Sequence, residues 1–299
     1  MAGETALWKD MKAMALHAEA VGFDSIWIND HLIFQFGEPG EPKRGTWECW
    51  SLLSALAAVT SRVEIGTIVV CTSFRNPALL AKAADAVDGI SGGRLILGVG
   101  AGYHEPEYKA FGYPVDHRVG RFEEAIKIIH TLLREGQIDV QGQYYAARDC
   151  EIRPRLSPRN GPPILMGPRA SSPRMLRLMT HYADYWTAFN VSSLETYRPM
   201  RDAVDAACLD AGRDPTTLAR TVTMAIDLPG LEARIDPRSW VRRFRTALRT
   251  PFSGSTEAIV GHLRSLAQAG LSHVQVWLDP LSLEGIDAFV PVLEALDKT

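Results

Sequence analysis

Three stretches of this chain hold residues whose types and spacing could do chemistry. Asn29-Asp30-His31 follows an apolar run, SIWI at 25–28, where a charged pair packs badly but suits the mouth of a site. There Asp30 could fix the tautomer of His31, leaving the imidazole to give or take a proton near neutral pH. A loop capped by the same two side chains is an equally open alternative. A second apolar run ends in Gly98-Val99-Gly100-Ala101-Gly102-Tyr103-His104-Glu105. Its glycines lack the G-x-G-x-x-G spacing of a dinucleotide fingerprint. Three alternating glycines would let the backbone approach something flat, whereas a tight turn alone accounts for one or two of them. Third, Met166-Gly167-Pro168-Arg169-Ala170-Ser171-Ser172-Pro173 joins a strand to a helix, with Ser172 as N-cap and Pro173 in the first turn. Free N–H groups at such a start bind phosphate, and Arg169 or Arg174 would add charge; a simply capped helix is the other reading.

Aromatic side chains crowd the same stretches. Trp47, Trp50, Trp277, Phe34 and Phe74 lie near expected strand ends or the loops above them, where they could line an apolar substrate pocket. Trp8, Trp27 and Trp186 read as core. The histidines at 17, 130, 181 and 262 fall on helices without metal spacing, and no carboxylate cluster accompanies them, so no metal site is expected. G-x-S-x-G is absent, which speaks against an α/β-hydrolase. Cys49, Cys71, Cys150 and Cys208 form no C-x-x-C pair and read as buried, reduced thiols.

The elements that must position these residues alternate between two periods. Apolar residues recur at helical spacing over 7–22, 46–60, 76–89, 118–134, 173–182, 194–211, 256–269 and 283–296. Short β-branched or apolar runs fall between them at 24–28, 63–70, 94–99, 163–166, 184–189, 221–227 and 273–278, with a hairpin at 138–146. Strands separated by helices imply a parallel sheet with right-handed crossovers. Seven such units over 299 residues suit a TIM-type (β/α)8 barrel whose usual first strand is missing, and in that fold chemistry sits at the C-terminal strand ends. The expectation is one domain over 1–299, with insertions near 34–45 and 229–253.

Bulk composition excludes several classes. Apolar residues make up 46% and charged ones 22%, which is globular rather than disordered. A formal charge of −3 leaves no cationic excess for phosphate backbones, so no nucleic-acid partner is expected. No run approaches the roughly 20 apolar residues of a membrane span. No secretory leader is visible, and a cytoplasmic location is the default expectation.

Read together, AEAVGFDSIWINDHL at 18–32, RNPALLAKAADAVDGISGGRLILGVGAGYHEPEYKAFG at 75–112, RFEEAIKIIHTLL at 121–133, the segments between 162 and 186, and GSTEAIVGHLRSLAQAGLSHVQ at 254–275 resemble the luciferase-like monooxygenase family. The resemblance implies a flavin or deazaflavin ring across the barrel mouth. His31 would stand near its reactive edge and Ile68-Val69 would form a non-prolyl cis peptide behind it. Gly100, Ala101, Gly102 and Tyr103 would pass beside the ring, and Met166 to Ser171 would hold phosphate. Trp27-x-x-Asp30-His31 is more similar to the coenzyme F420-using branch than to FMN monooxygenases. Tyr103 and Gln35 depart from the sugar-phosphate dehydrogenases of that branch, which carry Glu and Trp there. The activity implied is hydride transfer between F420 and a small, apolar or aromatic substrate. An FMN-dependent monooxygenase and a non-catalytic flavin binder are the alternatives, and family members are commonly homodimers.

Overall fold

The computed structural model describes residues 7–34, 44–167, 172–189, 191–228, 231 and 251–298. Most of the two expected insertions, residues 35–43 of one and 229–230 and 232–250 of the other, lies outside the described residues. So do Pro168, Arg169, Ala170 and Ser171 of the expected phosphate segment, and the side chain of Phe34. The chain divides into two compact units. The first takes the described residues of 1–12, 24–166 and 181–183, and the second those of 13–23, 167–180 and 184–299.

After α1 (Trp8–Ala20), the first unit runs β1 (Ser25–Ile28), a short antiparallel pair β2 (Ile33–Phe34) and β3 (Arg44–Gly45), α2 (Cys49–Val59), β4 (Glu64–Thr67) and β5 (Val70–Cys71). It continues through α3 (Pro77–Ser91), β6 (Leu95–Gly100), α4 (Glu105–Phe111), α5 (Arg118–Glu135), the hairpin β7 (Gln137–Gln141) and β8 (Ala146–Glu151), and β9 (Ile164–Met166). Its parallel sheet has the order β1-β4-β6-β9, with β5 added to β6. The central strands are buried on both faces, which is why LILGV and ILM read as unbroken apolar runs rather than alternating ones. Leu95, Ile96, Leu97, Ile164 and Leu165 are almost wholly buried, and each contributes roughly 1.5–3 kcal/mol on burial.

Local signals set the helix ends. Asn76 caps α3 by accepting from the Ala78 and Leu79 N–H groups, Pro77 fills the first turn, and Gly92 ends it in a left-handed conformation. Glu48 caps α2 by accepting from Trp50 and Ser51. Two features depart from the sequence reading. The expected strand 63–70 is divided into β4 and β5 around the Ile68–Val69 peptide, which is cis as the resemblance implied, and α4 falls where no helix was expected.

The second unit continues with α6 (Pro173–Tyr182), β10 (Tyr185–Phe189), α7 (Leu194–Asp210), β11 (Ala219–Asp227), β12 (Phe252–Ser253), α8 (Thr256–Gln268), β13 (His273–Asp279) and α9 (Leu283–Asp297). Within it β11 is central, parallel to β10, β12 and β13. Serines 193, 255 and 282 cap α7, α8 and α9. Trp186 is core, 2% exposed, but Trp8 and Trp27 are only half-buried. Trp27 lies across Gly66, its register partner on β4, where a Cβ would come within 2.3 Å of the ring. All four cysteines are free; Cys150 is half-buried, the other three buried.

Candidate functional site

The residues after β1 do not pair with each other as the sequence suggested. Asp30 is 3% exposed and accepts from Arg75 at 2.6 and 2.9 Å and from the Cys71 N–H at 3.0 Å. Arg75 also reaches Glu48 at 2.6 Å, so one guanidinium ties the end of β1 to the cap of α2. Burial pushes the Asp30 carboxyl up, against the pull of Arg75 and the Cys71 amide. For Arg75 burial favours the neutral form, but Asp30 and Glu48 outweigh it and raise the guanidinium further. The proposed tautomer-fixing role of Asp30 is therefore corrected: its carboxylate serves Arg75.

His31 takes a different carboxylate. Its Nδ1 lies 2.9 Å from Oε2 of Glu107, on the first turn of α4, and its side chain is 13% exposed. The other carboxylate oxygen, Oε1, accepts from the Leu32 and Ile33 N–H groups at 2.5 and 3.1 Å, and Glu107 is 1% exposed. The ring of Tyr103 stands edge-on to His31 with centroids 5.8 Å apart, and that of His104 at 6.2 Å. Tyr103 is 56% exposed. His104 is buried, and burial holds its imidazole below the ordinary value, opposed by Glu107 and reinforced by His31.

At each glycine of the β6 end a Cβ would meet protein atoms. A Cβ on Gly98 would meet the Thr67 carbonyl at 1.9 Å, and one on Gly100 would meet Val69 at 2.9 Å. Gly102, at φ +73°, would place a Cβ 2.1 Å from the Tyr108 hydroxyl and 2.4 Å from Cys71 Sγ. Tyr108 donates to the Ala101 carbonyl at 2.8 Å and lies 3.1 Å from Cys71 Sγ, so the turn is fastened from beneath. Burial raises both groups, the Cys71 thiol to about 12. What this backbone does present is a half-exposed, uncharged shelf of Val69, Gly100, Ala101 and Gly102, next to the exposed Tyr103 ring.

The first unit thus brings together His31, Asp30, Ile68, Val69, Gly100, Ala101, Gly102 and Tyr103. The aromatic candidates separate. Phe74 is 5% exposed and packs on Tyr108 and Tyr113 at 5.2 and 5.1 Å, so its ring belongs to the core, a correction to the pocket reading. Trp50 is likewise buried on α2, while Trp47 is 40% exposed. Met166 ends β9 fully buried; Gly167 and the half-buried Trp277 belong to the second unit, where Gly167 abuts Thr187 and Phe189. Glu107 was missed. It lies 76 residues from His31, and only the four-residue offset from Tyr103 onto an unforeseen helix could have indicated it.

A family model described as luciferase-like monooxygenase matches residues 1–228, and the chain belongs to that family. It is 37% identical over 153 residues to an F420-dependent glucose-6-phosphate dehydrogenase of Amycolatopsis mediterranei, a match covering 49% of this chain and 44% of that one. It is 27% identical to the pyrimidine monooxygenase RutA of Agrobacterium fabrum, over 96% of this chain and 88% of the relative. Among solved structures, an F420-dependent secondary alcohol dehydrogenase in complex with an F420-acetone adduct matches at TM-score 0.77 and 20% identity, covering 95% of this chain and 94% of that one. That likeness shows the TIM-type α/β fold expected from the sequence. These similar proteins include F420-dependent dehydrogenases and a monooxygenase.

Proposed function

We propose that this chain is a coenzyme F420-dependent oxidoreductase acting on a small apolar or aromatic organic substrate, with His31 handling the proton. The observation that carries this reading is the His31–Glu107 pair, standing with Tyr103 at the ends of β1 and β6 beside the uncharged shelf of Val69 and 100–102. A planar ring suits that uncharged, half-exposed shelf.

When bound, F420 supplies or accepts the hydride. The protein's part is then to hold the ring against 100–102, to orient the substrate beside Tyr103, and to exchange the substrate's proton at His31. Asp30 and Arg75 act one step removed, fixing the chain on which His31 sits. The preference for F420 draws on the F420-dependent relative and on the Trp27-x-x-Asp30-His31 spacing.

An FMN-dependent monooxygenase is the second reading, favoured by the match to pyrimidine monooxygenase RutA over nearly the whole chain. Titrating the purified protein with F420 and with FMN separates the two. F420 is expected to bind and FMN to bind far more weakly; tight FMN binding without F420 binding overturns the proposal. With F420 and a panel of small aliphatic and aromatic alcohols and carbonyl compounds, His31→Ala is expected to keep cofactor affinity within about tenfold and lose most turnover. Unchanged turnover would remove His31 from the mechanism.

A further inference from the structure

We infer that Glu107 is the positioning residue of this site: it holds His31 in the single tautomer with the proton on Nδ1, so that Nε2 is the atom that exchanges protons. The inference deepens the function proposed above and rests on it for the role of His31, but its geometry stands alone. Three donors converge on one buried carboxylate. Oε1 accepts from two successive main-chain amides, those of Leu32 and Ile33, which directs Oε2 to Nδ1 of His31. With its side chain only 1% exposed, Glu107 cannot exchange these partners for water without a large desolvation cost.

The same carboxylate fixes both the direction of the ring and the chain that carries it, because Leu32 and Ile33 follow His31 directly. An imidazole whose Nδ1–H donates to a fixed acceptor has its lone pair on Nε2, the form that takes a proton. Asp30, the neighbouring carboxylate, is committed to Arg75 and the Cys71 amide, so that single side chain does not also set the tautomer.

Glu107→Gln gives the inference its sharpest consequence. The glutamine keeps one oxygen, which the Leu32 and Ile33 amides hold, so its NH2 group must face Nδ1. A donor there forces the proton to Nε2, the wrong-tautomer effect known when an orienting carboxylate becomes an amide. The test is long-range nitrogen–proton NMR on the cofactor-free protein with labelled histidine, at mildly alkaline pH, with His31→Asn to assign the signals.

Wild type and Glu107→Asp are expected to show the Nδ1–H form, and Glu107→Gln the Nε2–H form. An Nε2–H tautomer in the wild type, or an unchanged tautomer in a folded Glu107→Gln, overturns the inference. If Glu107→Gln fails to fold, the wild-type and Glu107→Asp spectra decide it. None of these signals depends on F420, so failure of the cofactor proposal and failure of this one are told apart.

Discussion

Replacing Arg75 by methionine should cost more stability at neutral pH than at acid pH. Methionine preserves most of the aliphatic stem, so the change chiefly deletes a guanidinium. That guanidinium makes two bonds to Asp30, at 2.6 and 2.9 Å, and one to Glu48 at 2.6 Å. The Asp30 side chain has no exposure, and one amide N–H, from Cys71, is left to it after the substitution. Breaking a buried pair from one side costs about 3–5 kcal/mol, and the 16% exposure of Arg75 places this case near the lower end, about 3 kcal/mol at pH 8.

The sign of the pH dependence follows from burial, which already pushes the Asp30 carboxyl up in the wild type. Without Arg75 it rises further, so the folded variant binds a proton that the unfolded chain, titrating near 3.9, has released. Stability of the variant therefore falls as pH rises through that window, and acidification relieves part of the penalty. Urea unfolding of Arg75→Met and wild type at pH 5 and pH 8 measures the difference. A penalty under about 1 kcal/mol, or one equal at both pH values, would show that Asp30 is not a buried charge held by Arg75.

Two further perturbations test the floor of the site and its buried histidine. Gly102→Ala forces a left-handed φ on alanine and drives its Cβ into the Tyr108 hydroxyl. It should cost about 2–3 kcal/mol in urea unfolding, from the conformation and the lost Tyr108–Ala101 bond together. Tyr108→Phe in the same background should recover part of that loss, and wild-type stability in Gly102→Ala would refute the packing described. His104 is held below its ordinary value by burial, so its contribution to stability is present above about pH 6.5 and lost as pH falls toward the folded-state value. His104→Gln should flatten the stability profile below pH 6.5; a profile identical to wild type would mean that His104 titrates alike in both states.

The periodic elements were legible because each is set locally. Apolar spacing placed eight helices and seven strands, and Asn76-Pro77 and Ser172-Pro173 marked helix starts that fall at Pro77 and Pro173. The order of those elements led to the TIM-type fold. α4 was hidden because its seven residues contain Pro106 and only a few apolar side chains, too short a window for the helical period to register. The core placement of Trp8 and Trp27 failed for a different reason: large aromatic rings are often partly exposed, and residue type alone does not say how much of the ring is covered.

The site itself shows where local reading misleads. Asp30 and His31 invite pairing because they are adjacent, yet neighbours on a chain leaving a strand tend to point apart. Asp30 turns to an arginine 45 residues on, and His31 to a glutamate 76 residues on. Both partners sit just beyond the ends of neighbouring strands, Arg75 after β5 and Glu107 after β6, and the parallel register β1-β4-β6 is what gathers those ends. The glycines of the β6 end required a close approach, and Thr67, Val69, Cys71 and Tyr108 supply one. In a parallel α/β sheet, then, a strand-end histidine is better matched with carboxylates one crossover or two downstream than with the acid beside it. For this chain that rule selects Glu107, the residue whose exchange for glutamine should move the proton on His31.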